Sequence, residues 1–275
     1  MARENTPNTA VSRQVDITAA TSRLTPFLDA GTVDDPPTPV RILFDDDGAS
    51  IWTTNQTRTL QVFVDRWNVL SSLAKPCVLL VNPKELSNLL KLKFQRDETV
   101  RITTDTHSMI RIQGETTGAE INCSDEDECL TIPDRWVLPI VDGVRTFPMF
   151  RNEPADYVIE MSMSQLKNCL KDMKVAKAPY VELFLNEKHR GEGRCMAGHW
   201  TSKTTRSWSD VEYDSVLEPT SWTIRFSENL DTILRKFSTD TTEVRISKHR
   251  EGAFVIIDST DGEFTSVLAT EAVKE

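Results

Sequence analysis

The 275-residue sequence predicts an α+β fold of two similar domains, each made of two β-α-β-β-β units. Three observations lead to it. A valine-centred strand pattern recurs four times. An amphipathic helix precedes each copy at nearly constant spacing. The first and third helices stand 143 residues apart and the second and fourth 144, so the four units group as two pairs. Internal periodicity of this kind outranks local propensity as a guide to architecture.

The units open on the strand candidates QVDITA (14–19), CVLLVN (77–82), YVIEMS (157–162) and SWTIRF (221–226), which are short, apolar and rich in β-branched residues. Helices begin near Thr21, Lys84, Ser164 and Glu228. In the second helix Leu86, Leu89, Leu90 and Phe94 fall on one side, at the spacing of a buried stripe. Leu166, Cys169, Leu170 and Met173 do so in the third, and Leu230, Ile233, Leu234 and Phe237 in the fourth. The valine strands PVRILF (39–44), TVRITT (99–104), YVELFL (180–185) and EVRISK (243–248) come next. From Leu24, Leu86, Leu166 and Leu230 to Val40, Val100, Val181 and Val244 the gaps are 16, 14, 15 and 14 residues.

Two more strands close each unit: ASIWTTN and TLQVFVD, SMIRIQG and GAEINCS, CMAGHWT and RSWSDVEY, AFVIIDS and EFTSVLA. Turn signals such as DDDGA (45–49) and STDGE (259–263) fit hairpin connections. The expected organisation is a loose tail over 1–13, a first domain over 14–126, a connector over 127–156 and a second domain over 157–275. The connector begins in an acidic run, carries four prolines and holds its own apolar stretch, WVLPIV.

A net charge of −10 argues against nucleic acid at first sight, but its distribution reverses that reading. Residues 84–96 carry +3 and residues 164–177 carry +3, which leaves −16 for the remainder. The cations therefore sit on predicted helices inside an otherwise acidic protein. Lys84, Lys91 and Lys93 belong to the second helix, Lys167, Lys171 and Lys174 to the third, Arg235 to the fourth and Arg23 to the first. Lys84 and Lys91 are expected nearly opposite the leucine stripe.

Five cysteines without paired short spacing read as reduced intracellular thiols, so localisation inside the cell is expected. No apolar run reaches membrane-spanning length, and the N-terminus lacks the apolar centre of a signal peptide. HRGEGRCMAGH groups His189, Cys195 and His199, but the spacing fits no common zinc pattern and a fourth ligand is missing. The acidic runs FDDDG (44–48) and CSDEDEC (123–129) do not have the offsets of a calcium loop. No metal, cofactor or catalytic residues are expected, and the region 189–199 reads as a surface loop.

The ordered fourfold repeat, the long connector and a C-terminal SVLAT before a charged tail resemble the DNA sliding clamps of the proliferating-cell-nuclear-antigen type, over roughly residues 14–270. Val267 and Thr270 stand where family members usually have an aromatic and a proline, which marks a divergent member of archaeal or viral type. The resemblance implies the DNA clamp fold, in which helices line the lumen of a ring and sheets face outward. It implies a homotrimer around double-stranded DNA, with the helix cations facing the duplex. It further implies a polymerase, a clamp loader and other replication and repair enzymes as partners, the latter through short peptides.

Carried over by position, a peptide pocket would combine Thr54 and Arg58 with Val137, Leu138 and Ile140 of the connector and Leu268 and Ala269 of the last strand. The subunit interface would pair strand 118–124 (Ala119, Ile121, Cys123) with strand 205–213 (Trp208, Val211, Tyr213) of the next copy. Within one chain, 59–66 would pair with 263–269. Two alternatives stand beside this reading: a monomeric clamp-like factor that holds DNA without encircling it, and an α+β enzyme whose repeat is coincidental.

Overall fold

The computed structural model describes residues 12–33, 37–46, 48–55, 61–104, 109–130, 136–137, 140–141, 144–145, 149–150, 157–175, 180–185, 191–196, 203–208, 223–226, 234, 243–249, 252–258 and 265–269. The first unit is β1 (Asp16–Ala20), α1 (Thr21–Ala30), β2 (Val40–Asp45), β3 (Gly48–Thr54) and β4 (Gln61–Trp67). A strand that sequence patterning did not suggest, β5 (Leu70–Leu73), precedes the second unit. That unit is β6 (Cys77–Val81), α2 (Pro83–Lys93), β7 (Thr99–Thr104), β8 (Met109–Gln113) and β9 (Gly118–Asn122).

Four two-residue strands follow: β10 (Trp136–Val137), β11 (Ile140–Val141), β12 (Val144–Arg145) and β13 (Met149–Phe150). The third unit is β14 (Tyr157–Met161), α3 (Met163–Val175), β15 (Tyr180–Leu185), β16 (Gly191–Met196) and β17 (Lys203–Trp208). The fourth contributes β18 (Thr223–Phe226), β19 (Glu243–His249), β20 (Gly252–Asp258) and β21 (Thr265–Ala269). Of its helix the described residues include Leu234 alone, which is helical and buried.

Helix ends show why the chain turns where it does. Asn82 caps α2, its side-chain oxygen accepting from the N–H groups of Lys84 (3.1 Å) and Glu85 (3.2 Å). Pro83 follows at the first helical position, where a missing N–H costs nothing. Helix α1 has no side-chain cap. Its first N–H, that of Thr21, instead donates to the Glu98 carbonyl (2.9 Å), and the Thr21 hydroxyl donates to the carbonyls of Gln95 (2.6 Å) and Arg96. The start of α1 is thus pinned by the loop that ends α2, and the two helices lie packed together.

The units interlock rather than stand side by side. β1 pairs with β7 and β6 with β2, so each unit's first strand joins the valine strand of the other. The second half repeats the exchange, with β14 on β19 and β18 on β15. Ile17, Ala19, Val100, Ile102, Ile110 and Ile112 form the inner face of the five-stranded sheet β5-β1-β7-β8-β9 and are essentially fully buried. Leu24, Phe27 and Leu28 of α1 and Leu86 and Leu90 of α2 belong to the same core. Phe27 meets Trp67 edge to face, with ring centres 5.9 Å apart.

The other large sheet runs β14-β19-β20-β21-β4-β3-β2-β6 and is continuous from the first half of the chain to the second. Its crossing point is the antiparallel pairing of β4 with β21, from Gln61 opposite Ala269 to Asp65 opposite Thr265. This is the within-chain pairing expected from the resemblance.

Three features depart from the sequence reading. The strand expected at 195–201 lies at Gly191–Met196, so GEG is part of an internal strand and not of a surface loop. Its glycines face Leu185 and Leu183 of β15 in register, which fixes the earlier position. The strand expected at 205–213 is β17, Lys203–Trp208, and Val211 and Tyr213 lie outside the described residues. The connector carries nested antiparallel ladders, with Trp136 opposite Phe150 and Val141 opposite Val144. They flank Asp142-Gly143, a dipeptide favoured between paired strands. The junction between the first domain and the connector is tied down on both sides. Leu130 bridges Val40, and Glu126 is gripped by Arg13 and by Arg41 (3.5 Å).

Candidate nucleic-acid interface

Helix α2 buries Pro83, Leu86, Ser87 and Leu90; Leu89, expected in the stripe, is only half buried, and Phe94 is buried just past the helix end. The serine rotates the buried face toward α1. At about 100° per residue, Glu85, Asn88 and Leu92 then point directly away from the core, and Lys84 and Lys91 lie roughly 70–90° to one side. Leu92 is 79% exposed. The expectation that these two lysines oppose the leucine stripe is therefore corrected: they flank the outermost line of α2 on the side of α1. Lys93 and Arg96 are exposed and have no ion-pair partner among the described residues.

Helix α3 repeats this layout. Met163, Leu166 and Leu170 are buried, Ser164, Asn168 and Val175 are exposed, and Lys171 and Lys174 are exposed to one side, with Lys167 half-buried beside them. Superposing Pro83 on Met163 in sequence matches Asn88 to Asn168, Lys91 to Lys171 and the two buried leucines to their counterparts. Arg23 of α1 is exposed and donates to the Asn68 carbonyl (3.1 Å). Arg235 lies outside the described residues.

Lys91 is not an isolated cation. Its Nζ lies 2.6 Å from Oδ2 of Asp29 on α1, and the other oxygen of that carboxylate accepts from the Ser87 hydroxyl at 2.7 Å. No pattern in the sequence points to this pair, because its members are 62 residues apart.

The strands that end the four units are β4, β9, β17 and β21. β4 and β21 pair with each other, whereas β9 and β17 are outermost in their sheets and carry no partner strand on one side among the described residues. Ala119 and Ile121 lie on β9, with Ile121 directed into the core at 8% exposure, and Cys123 follows the strand's end. Trp208 is the last residue of β17. A groove of about 400 Å³ runs beside the open edge of β9, lined by Glu85 and Leu89 of α2, Met109 of β8, and Glu120, Ile121 and Asn122.

The expected peptide pocket is brought together in part. Thr54, Gln61 and Ala269 are in register on β3, β4 and β21, as are Thr53, Val62 and Leu268, so Thr54 and Ala269 are about 10 Å apart across one intervening strand. Thr54 is buried and donates to the Asn55 carbonyl (3.3 Å), which leaves it little surface to offer. Val137 and Ile140 lie on β10 and β11 of the connector, and Arg58 and Leu138 lie outside the described residues. No group of three or more metal-ligating side chains occurs among the described residues.

Interlocked β-α-β-β-β pairs joined edge to edge define the DNA-clamp class of fold. Within that class the architecture is that of the proliferating cell nuclear antigens. The A. fulgidus PCNA with the C-terminal region of FEN-1 bound matches with a TM-score of 0.70 at 11% identity, over 95% of this chain and 99% of that one. The proliferating cellular nuclear antigen of Entamoeba histolytica matches with a TM-score of 0.63 at 13% identity, over 94% and 98%. The PCNA2–PCNA3 complex of Sulfolobus tokodaii matches with a TM-score of 0.62 at 8% identity, over 93% and 98%. No protein-family model and no curated protein matches the chain in sequence.

Proposed function

We propose that the chain is a non-catalytic DNA polymerase processivity factor, a sliding clamp that encircles duplex DNA as a homotrimeric ring. One observation carries this reading: the chain joins its two halves by pairing the last strand of one unit with the last strand of another, and leaves one side of the two equivalent strands without a partner among the described residues. A second copy can repeat the β4–β21 junction by laying its β17 on β9. That contact is head to tail, so it generates a closed ring when the rotation per copy suits and a filament otherwise. The PCNA2–PCNA3 complex of Sulfolobus tokodaii, in which two chains of this fold associate, supports this reading.

Retention on DNA is then topological. Lysines on α2 and α3 make weak, sequence-independent contacts to phosphates, which permit sliding, and ring closure prevents escape. The acidic remainder repels DNA from every other surface. A clamp loader would open the ring at a β9–β17 junction. The polymerase and repair enzymes would attach by short peptides, as the FEN-1 segment bound to the A. fulgidus protein suggests, and the seam between β3, β4, β21 and the connector is where the family resemblance puts them. Tethering raises the local concentration of the partner and so speeds its rebinding.

The test is polymerase stimulation on primed circular DNA against the same DNA linearised. Stimulation on the circle and its loss on the free-ended template supports encirclement; equal stimulation on both contradicts it and favours the monomeric alternative. The variant with Lys84, Lys91, Lys167, Lys171 and Lys174 all replaced by Ala is expected to remain folded and to lose most stimulation. Undiminished stimulation would place the DNA-facing surface elsewhere.

A further inference from the structure

We infer that Asp29 is a positioning residue that holds Lys91 back from DNA phosphates, so that the second domain's helices make the stronger contact with the duplex; this rests on the DNA-encircling reading above. Asp29 is the second-last residue of α1. A carboxylate there faces the negative end of the helix dipole, so the stability of α1 alone gives no reason for it. Its two oxygens are used by two residues of α2, Ser87 at 2.7 Å and Lys91 at 2.6 Å, which fixes the Lys91 ammonium in the groove between the helices.

The pair is half exposed on both sides, 49% for Lys91 and 37% for Asp29. Ion pairs this exposed are weak, and an approaching phosphate can compete for the lysine only by displacing the carboxylate. The first domain therefore offers a partly neutralised cation where the second offers one without an ion-pair partner among the described residues. Lys171, which stands at the position of Asp29 when Leu24 and Leu28 of α1 are aligned with Leu166 and Leu170 of α3, is exposed and has no ion-pair partner among the described residues. Aligning the buried leucines Leu90 of α2 and Leu234 of the fourth helix places Arg235 at the position of Lys91. The position held by Asp29 and Lys171 thus subtracts a charge in the first domain and adds one in the second. Six domains around a ring would alternate weak and strong phosphate contacts, an arrangement that keeps DNA inside without gripping it uniformly.

Equilibrium binding of a fluorescent duplex across a sodium chloride series tests this, because the slope of log K against log salt counts phosphate contacts. Asp29→Asn keeps the hydrogen bond from Ser87 and removes the charge. It is expected to tighten binding and to steepen the slope by about one per chain. The change should vanish when Lys91→Gln is added. Lys171→Gln should reduce the slope by about one per chain, and Lys91→Gln by clearly less. Ser87→Ala, which loosens the same inter-helix contact without altering charge, should leave the slope unchanged and so separates a structural role from an electrostatic one. Equal slopes for Asp29→Asn and the unaltered chain would overturn the inference, as would equal losses from Lys91→Gln and Lys171→Gln. That last comparison holds even if Asp29→Asn fails to fold. If the unaltered chain shows no salt-dependent association with duplex at all, the DNA reading itself falls, and this inference with it.

Discussion

Strand β21 ends the fourth unit and strand β9 ends the second, yet they meet different fates. β21 is sealed against β4 along five residue pairs, and the strand it meets is apolar and buried: Val62, Phe63 and Val64 are at most 2% exposed. Among the described residues β9 pairs on one side only, and its outward-facing side chains are polar, with Glu120 bound to Arg111 at 3.0 Å and Asn122 exposed. The first arrangement is a permanent junction built into the core. The second has the charged dressing that guards an open edge against indiscriminate pairing. Equivalent strands have been tuned for an intramolecular joint in one place and for a reversible, selective joint in another.

The largest effect is expected from breaking the sealed joint. Phe63 stands opposite Val267 on one side and Trp52 on the other, and Phe63→Ala should cost about 3–5 kcal/mol in urea unfolding. A loss under about 1 kcal/mol would show that the seam does not belong to the cooperative core.

Breaking the open joint should do the opposite, leaving unfolding nearly unchanged and abolishing association. In an antiparallel ladder successive N–H groups alternate in direction, so of Ala119 and Glu120 one donates to β8 and one points outward. Of the two proline variants, Ala119→Pro and Glu120→Pro, one should lose fold stability and the other only its oligomeric state. Proline at Ile121 is a poorer probe, since that side chain is in the core. If both variants keep the mass of the unaltered protein, β9 is not the contact.

Smaller effects sharpen the picture around the sealed half. Cys129 lies where the connector leaves the first domain, and burial pushes its thiol up to about 11, with the nearby Arg41 acting in the opposite direction. A raised thiol pKa means that the folded state retains its proton longer than the unfolded one. Stability is then complete below the ordinary value of 9.0 and declines as pH rises from there through about 11. Cys129→Ser should flatten that decline in denaturation curves taken across this range. Asn82→Ala should cost about 1 kcal/mol by removing the cap of α2, read as a modest drop in unfolding midpoint without loss of association.

Much of this was legible in the sequence, and the limits have physical causes. The four valine strands and three helices announce themselves through alternation and stripes, signals that burial imposes locally. GEGRCM gives no such signal, because glycines at 191 and 193 carry no side chain to alternate, and only pairing with β15 places the strand. β5 is four residues long with a weak pattern and is stabilised by its partner β1. The cations of the candidate interface were visible as residues but not as an arrangement. A wheel drawn from leucines alone cannot foresee that Ser87 would be buried against Asp29, and that contact both turns α2 and occupies Lys91.

The central claim is that β9 and β17 repeat between chains the joint that β4 and β21 make within one. The native mass of the unaltered protein at low micromolar concentration tests it most directly. The account predicts a single species at three times 31.1 kDa, collapsing to 31.1 kDa in whichever of Ala119→Pro and Glu120→Pro keeps the fold. A mass of 31.1 kDa for the unaltered protein, with both strand edges left open, would contradict it.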